Sequence, residues 1–335
     1  MLSLCLVEPG CLKDSIQPVP AVTCCGPQIP VGFPEMDFPV DNAYSEARWR
    51  LGRRLFYDPI MSKDSSISCA SCHLASYFFS DTLSFSPGVD DAPGTRNAPS
   101  LVNVGYHPYF TREGGVATLE MQVLIPIQEH NEFDFNILLI ADRMREDPVY
   151  QQLSYEGYDR EPDYYVISRA LGVFERTLVG GDSAFDQYAY QKDKAALSAA
   201  EIRGMDLFFS DRTNCSSCHS DFNFTNYAFE NNGLYAEYPD PGRFRLTGDS
   251  SDLARFKVPS IRNIAHTAPF MHDGSLPDLM SVVKHYNSGG FSHPNKSPLI
   301  RPLGLTASER IDLLAFLNAL TDENFNKDER FSNPF

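Results

Sequence analysis

The sequence predicts a mainly α-helical chain folded as two domains of one kind, with long loops and little strand. Three observations carry that expectation. The pattern Cys-x-x-Cys-His occurs twice, as Cys69-Ala-Ser-Cys72-His73 and Cys215-Ser-Ser-Cys218-His219. This is the attachment sequence of a c-type haem, in which two thiols add to the porphyrin vinyl groups and the adjacent histidine becomes an iron ligand. At 335 residues the chain exceeds the size at which one core keeps growing, so two units are expected, each large enough to bury a haem. Helix signals recur shortly before each motif. Together these give two cytochrome c-like haem domains carrying two covalent haems c.

A Cys-x-x-Cys pair can also be half of a zinc site or a redox dithiol. A zinc site needs its two pairs brought together, and a thioredoxin-like dithiol needs a βαβ pattern around it. Here each pair has its own histidine in a helical context, which favours haem.

Along the chain, residues 1–40 read as a leader and an extended N-terminal arm. Met1 to Leu6 is apolar but lacks a basic n-region, which suits the remnant of a secretory signal, and Leu2-Ser3-Leu4-Cys5 faintly resembles a lipid-attachment site. Cys5, Cys11, Cys24 and Cys25 all fall in this leader, either as disulfides of an oxidising compartment or as surplus thiols. Gly26 to Val40 holds four prolines and reads as extended.

The first domain, 41–190, opens with a helix that Asp41 or Ser45 can cap, with Trp49, Leu51, Leu55 and Phe56 at helical spacing and Asp58-Pro59 as its stop. Ser80 to Gly115 is rich in Gly, Pro, Asn and Asp and reads as loops around a cofactor. Helical spacing returns at Leu119 to Ile127, Asn136 to Arg145 and Tyr164 to Val179, the last stopped by Gly180-Gly181. The polar stretch Tyr188 to Leu197 reads as a link between domains.

In the second domain, 191–335, the capping box Ser198-x-x-Glu201 starts a helix through Met205, Leu207 and Phe208. This echoes the first domain and suggests duplication. After another loop-rich region, helices are expected at Leu276 to Tyr286 and, behind the capping box Thr306-x-x-Glu309, at Ala307 to Leu320.

Net charge is −16, with 44 acidic and 28 basic residues. That balance argues against nucleic acid and anionic membrane surfaces as partners, and leaves room for a basic protein. No run of 18 apolar residues occurs, so no membrane span is expected.

Several motifs then resemble a known family, the bacterial di-haem cytochrome c peroxidases and MauG, the maturase of methylamine dehydrogenase. They are Leu51-Gly-Arg-Arg-Leu-Phe-Tyr-Asp58, Arg96-Asn-Ala-Pro-Ser-Leu101, Pro259-Ser-Ile-Arg-Asn263 and Thr267-Ala-Pro-Phe-Met-His-Asp-Gly-Ser275. Ile29-Pro-Val-Gly-Phe-Pro34, Phe174-Glu-Arg-Thr-Leu178, Asp221-Phe-Asn-Phe-Thr225 and Leu320-Thr-Asp-Glu-Asn-Phe325 are similar to the methanobactin-associated MbnH-like group. The resemblance implies a periplasmic oxidoreductase that uses hydrogen peroxide to oxidise a side chain, tryptophan, of a partner protein. Two alternatives stay open: a peroxidase drawing electrons from a small cytochrome, and a non-enzymatic di-haem electron carrier.

The resemblance also implies site residues. In family peroxidases a histidine 16 residues past the first motif can close the N-terminal haem, and here that position is Val89. His73 would then be the lone protein ligand of an open, peroxide-binding iron, with His107 and His130 read as loop or surface histidines. The family's distal pocket maps onto Gln122, Pro126 and Glu132, Glu132 serving as acid and base. For the His219 haem, Met280, His285 and Tyr286 are all chemically able to be the sixth ligand. The peroxidases carry methionine and MauG tyrosine 14 residues after the Met-His-Asp-Gly histidine, here Tyr286, with His285 the rival. A phenolate favours ferric and higher iron and suits storage of an oxidising equivalent. His272 reads as packing near a haem propionate. A calcium ion between the domains maps onto the Asn97 side chain and the Thr267 and Pro269 carbonyls, hard oxygen donors suited to it.

One departure stands out. Relatives carry a tryptophan relay between the haems, whereas the matching stretch here is Tyr109-Phe-Thr-Arg-Glu-Gly114, and the one Trp of the chain, Trp49, lies far upstream. Thr111 and Arg112 cannot relay a hole, so Tyr106, Tyr109 or Phe110 is left to do so, or the haems share charge less effectively.

Overall fold

The computed structural model describes residues 26–335; Cys5, Cys11, Cys24, Cys25 and the leader lie outside them. The chain is mainly helical, with one short antiparallel ladder joining β1 (Phe229–Glu230) to β2 (Phe256–Lys257). None of its described helices is long and apolar enough to cross a membrane.

The first half begins with α1 (Glu46–Tyr57), where the Ser45 hydroxyl accepts the Arg48 N–H at 3.3 Å and Asp58-Pro59 ends the helix. The first motif forms α2 (Cys69–Cys72), and Ser80 to Gly115 has no α-helix. Then come α3 (Leu119–Gln122), α4 (Leu124–Gln128), α5 (Ile137–Glu146), α6 (Pro148–Tyr158) and α7 (Tyr164–Arg176). The second half holds α8 (Ala184–Ala189), α9 (Ala199–Phe208), the second motif in a 3-10 turn from Cys215, α10 (Phe244–Thr247), α11 (Leu279–Ser288) and α12 (Ala307–Asn318). The capping boxes at Ser198 and Thr306 both form.

Among the elements that differ from the sequence reading, three do so for a local reason. The expected helix from Leu119 to Ile127 breaks at Val123 into α3 and α4, because Pro126 has no N–H to give the Gln122 carbonyl and its ring crowds it. The helix expected to reach Val179 stops at Arg176: the Thr177 hydroxyl donates back to the Phe174 carbonyl at 2.7 Å and accepts Trp49 Nε1 at 3.0 Å. The unexpected α6 starts at Asp147-Pro148, where Asp147 accepts the Val149 N–H at 2.8 Å and proline sits at the first turn.

Two apolar cores organise the molecule. One gathers Trp49, Leu55, Phe56, Phe79, Ile140 and Phe174; the other gathers Phe208, Phe224, Ile261, Leu313 and Phe316. The same device builds each. Gly52 on α1 lies where a Cβ would come within 1.9 Å of the Ala170 carbonyl on α7, and Gly204 on α9 stands in the same relation, 1.9 Å, to the Asp312 carbonyl on α12. Only glycine allows such close crossings. Asn103 and Asn263 both adopt left-handed backbone (φ 63° and 58°), a conformation asparagine tolerates. Each then ties its loop to the segment after the crossing helix, Asn103 through Leu178 and Gly180, Asn263 through Leu320 and Asp322.

The halves are laced together. Phe185 and Tyr190, which precede residue 191, pack with the second core, whereas Phe325 and Phe331 pack in the first. Arg53 donates to the Ser332 and Glu329 carbonyls, and Arg54 stacks on Phe335. The extended arm sets Phe33 edge-on against Tyr106 of one half and Phe222 of the other.

Candidate functional site

His73 and His219 present the same geometry. His73 Nδ1 lies 3.0 Å from the Phe79 carbonyl and His219 Nδ1 lies 3.2 Å from that of Phe224. A carbonyl only accepts, so Nδ1 carries the proton and Nε2 keeps its lone pair for a metal. Burial lowers the pKa of both rings and keeps them neutral. The four motif cysteines form no disulfide. Burial pushes the thiols of Cys72 and Cys218 up to about 11, unlike the low-pKa thiolate of a redox dithiol. Cys69 packs on the first core and Cys215 on the second, so the two pairs are not brought into one tetrahedral site.

A cavity opens against the first motif, lined by Cys69, Cys72, His73, Gln122, Pro126 and Glu132 among apolar side chains that include Phe56, Met61, Leu101 and Ile127. The residues fit a haem: an apolar slot, two thiols, an imidazole with a free Nε2 and a few polar groups. All three predicted distal residues line it. Gln122 Oε1 is buried and has no hydrogen-bond partner, so it is an acceptor waiting for a donor. The proline break between α3 and α4 sets where Gln122 sits. Glu132 keeps exposed surface where the cavity opens, yet the enclosing protein and the neighbouring Glu129 raise its carboxyl to about 6.

Val89 is buried, and its N–H donates to the Glu132 carbonyl at 2.9 Å, fixing its loop against the loop of Glu132. Of the two nearby histidines, His130 is exposed and bonded to Asp134. His107 follows a 3-10 turn with Nε2 buried and unpartnered, and burial lowers it to about 3; it is a loop histidine that does not face solvent freely. The cavity holds one acid that motif reading assigned no role, Glu175 on α7, which burial raises to about 8.

In the second half, Tyr286 on α11 is close enough to Cys215 and Cys218 for both thiols to oppose its ionisation, and burial, the larger cause, pushes its pKa to about 12. The Asn232 side chain hydrogen-bonds to it. The rival His285 is engaged elsewhere, its Nε2 lying 3.1 Å from the Asn232 carbonyl. Met280 precedes both on α11 and is half-buried. His272 is buried and stacked on Phe256 at 4.2 Å, where burial lowers it to about 4.

The two halves meet in a seam of reciprocal backbone bonds. The Asn97 N–H donates to the His272 carbonyl at 2.9 Å, and the Lys257 N–H to the Arg112 carbonyl at 2.7 Å. This brings Asn97 to the 267–272 loop that carries Thr267 and Pro269. Arg112 comes too: its Nη2 donates to the Asn97 carbonyl at 2.7 Å and lies 3.5 Å from Asn97 Oδ1. A dication on Asn97 Oδ1 would lie beside that guanidinium and be repelled by it. The donor set therefore does not fit calcium, and no chemical step is drawn through that ion. Among the possible relays, Tyr106 is bonded to the Pro34 carbonyl, Tyr109 is bonded to the Tyr227 carbonyl and stacked on Phe229, and Phe110 is buried in a small cluster with Val104, Val116 and Leu119.

Comparison with known proteins agrees with this geometry. The family model for di-haem cytochrome c peroxidase matches residues 46–195. The methylamine utilization protein MauG of Methylorubrum extorquens is 35% identical over 85% of this chain and 81% of its own length. The cytochrome-c peroxidase IdrP1 of Denitromonas iodatirespirans is 31% identical over 87% of this chain and 86% of its own. A solved MauG-like protein associated with microbial copper homeostasis superposes with a TM-score of 0.87 at 36% identity, covering 91% of this chain and 98% of that one. Two Cys-x-x-Cys-His motifs on two separate cores, each with its histidine turned by a carbonyl, and a match along most of the length make the chain an oxidoreductase of the di-haem cytochrome c peroxidase and MauG family.

Proposed function

We propose that the protein uses hydrogen peroxide to oxidise a side chain, a tryptophan, of a partner protein. The haems, when bound, supply iron that can be oxidised beyond the ferric state. The reading is carried by the first cavity, where Gln122 and Glu132 line a slot whose one histidine is His73.

Gln122 Oε1 accepts a peroxide O–H and orients the molecule. Glu132, ionised above about pH 6, takes the proton from the near oxygen and returns it to the far oxygen as the O–O bond breaks. Peroxide gains two electrons and two protons and leaves as two waters. The two electrons would come from the partner's side chain, and the second haem, held by the residues below, would supply the path for them.

His219 and Tyr286 are the proposed protein ligands of that second haem. With a pKa of about 12, the Tyr286 phenol ionises only when a nearby cation favours its charged form. A phenolate lowers the potential and suits storage of an oxidising equivalent. Similarity to MauG supports this over a simple electron carrier. Haem attachment of this type supports a periplasmic site of action, and a basic partner suits the net charge of −16.

Electron paramagnetic resonance of the ferric holoprotein tests the division of labour. One high-spin and one low-spin signal are expected, and Tyr286→Phe should abolish the low-spin signal alone. Two low-spin signals, or an unchanged spectrum in the variant, would reject it. The similarity to IdrP1 favours a second reading, reduction of peroxide with electrons from a cytochrome. Rapid turnover with reduced cytochrome c, without modification of any protein substrate, would select that reading.

A further inference from the structure

Arg112 holds an unusual position. Its guanidinium hydrogen-bonds, among the described residues, to Asn97 alone, and its Nε is buried with no partner. The acids nearby are already engaged. Asp240 grips Arg96 at 2.6 and 2.8 Å, Glu113 pairs with the same Arg96, and Asp273 accepts the Tyr235 hydroxyl. Lys257, reached through the Arg112 carbonyl, adds a second enclosed cation that donates to the Tyr109 carbonyl at 2.8 Å and has no carboxylate partner among the described residues. Enclosing a cation without an anion is strongly unfavourable, and burial depresses both groups, Arg112 to about 10 and Lys257 to about 8.

The anion expected here comes with the cofactors. Each haem brings two propionate carboxylates, and both haem-binding loops reach this seam. Pro99, two residues after Asn97, gives its carbonyl to the ring of His73, and Pro259, two residues after Lys257, gives its carbonyl to the ring of His219. A cation joined to Asn97 by its side chain and to Lys257 by its carbonyl is therefore held between the two loops that seat the haems.

We propose that the Arg112 guanidinium is the resident cation of the inter-haem seam: it receives haem propionate carboxylates and stands where a calcium ion would otherwise sit on Asn97, so that the holoprotein needs no calcium. This goes beyond the oxidation of a partner, and its failure would leave that reading untouched.

Metal analysis and potentiometry of the holoprotein test it. The native protein should carry no calcium above background after gel filtration, and treatment with a calcium chelator should leave both ferric signals and both midpoint potentials unchanged. Removing the charge with Arg112→Met should shift both potentials downward, because a nearby cation favours the reduced iron. Arg112→Lys should restore them largely. One calcium per native chain, a chelator-induced change in either haem signal, or unshifted potentials in Arg112→Met would each overturn the proposal. If Arg112→Met fails to retain its haems, the native metal content and the Arg112→Lys potentials still decide.

Discussion

Gly52 and Gly204 do one job in two places, letting a helix cross at a distance no other residue allows, yet Val102 and Arg262, each one residue before a left-handed asparagine, do opposite jobs. Val102 is buried in the first core. Arg262 is equally buried and forms a double hydrogen bond with Asp186 at 2.9 Å and 2.9 Å. The same contrast runs through the pockets. Both histidines are oriented by a carbonyl, but above one lies Glu132 with Gln122, and beside the other lies Tyr286. The halves share what shapes the backbone and differ in the side chains gathered near each histidine, which under the proposed function is how one frame would serve two roles.

The largest effect should come from Glu132→Gln. It should slow peroxide consumption, followed by stopped flow, by about 10²- to 10⁴-fold and leave the low-spin signal of the second half intact. The native rate should fall as pH drops through about 6, because protonation removes the base, and the variant should lack that limb. Equal loss of both haem signals would break the comparison.

Next is Asp186→Asn, which strands the buried Arg262 and should destabilise the protein by about 3–5 kcal/mol in chemical denaturation. Val102→Ala, at the matching place in the first half, removes two methyl groups' worth of burial and should lose only about 1–2 kcal/mol. Gly52→Ala and Gly204→Ala should each lose about 1–3 kcal/mol or more by overpacking, and by similar amounts. A large difference between them would show that the shared crossing bears unequal load. Smallest is Ser71→Ala. The Ser71 hydroxyl accepts the Ser68 N–H at 3.0 Å at the start of the first motif, whereas the second motif has no side-chain cap, so a loss of about 1 kcal/mol is expected on one side only.

Most of the frame was legible because it is written locally. Ser45, Ser198 and Thr306 announce their helices through side-chain caps, and the two haem motifs are contiguous. Asp147-Pro148 was an equally local start signal for α6 that went unread, and Pro126 foretold the break in its helix. Glu175 was hidden for another reason: it sits among apolar residues of α7, and only the packing of that helix turns it toward the cavity. The meeting of Arg112 with Asn97 was likewise invisible, since their closeness depends on reciprocal bonds between loops far apart in the chain, Asn97 to His272 and Lys257 to Arg112. Tyr286 was named through the family resemblance with His285 as its rival, and the contact of His285 with the Asn232 carbonyl could not be read from the sequence.

The return of residues 325–331 to the first core imposes an order on biogenesis. Phe325 and Phe331 complete an apolar cluster begun by Trp49 and Phe56, and Tyr57 gives its hydroxyl to the Phe331 carbonyl. A chain emerging from its N-terminal side must wait for almost all of its length before that cluster can close.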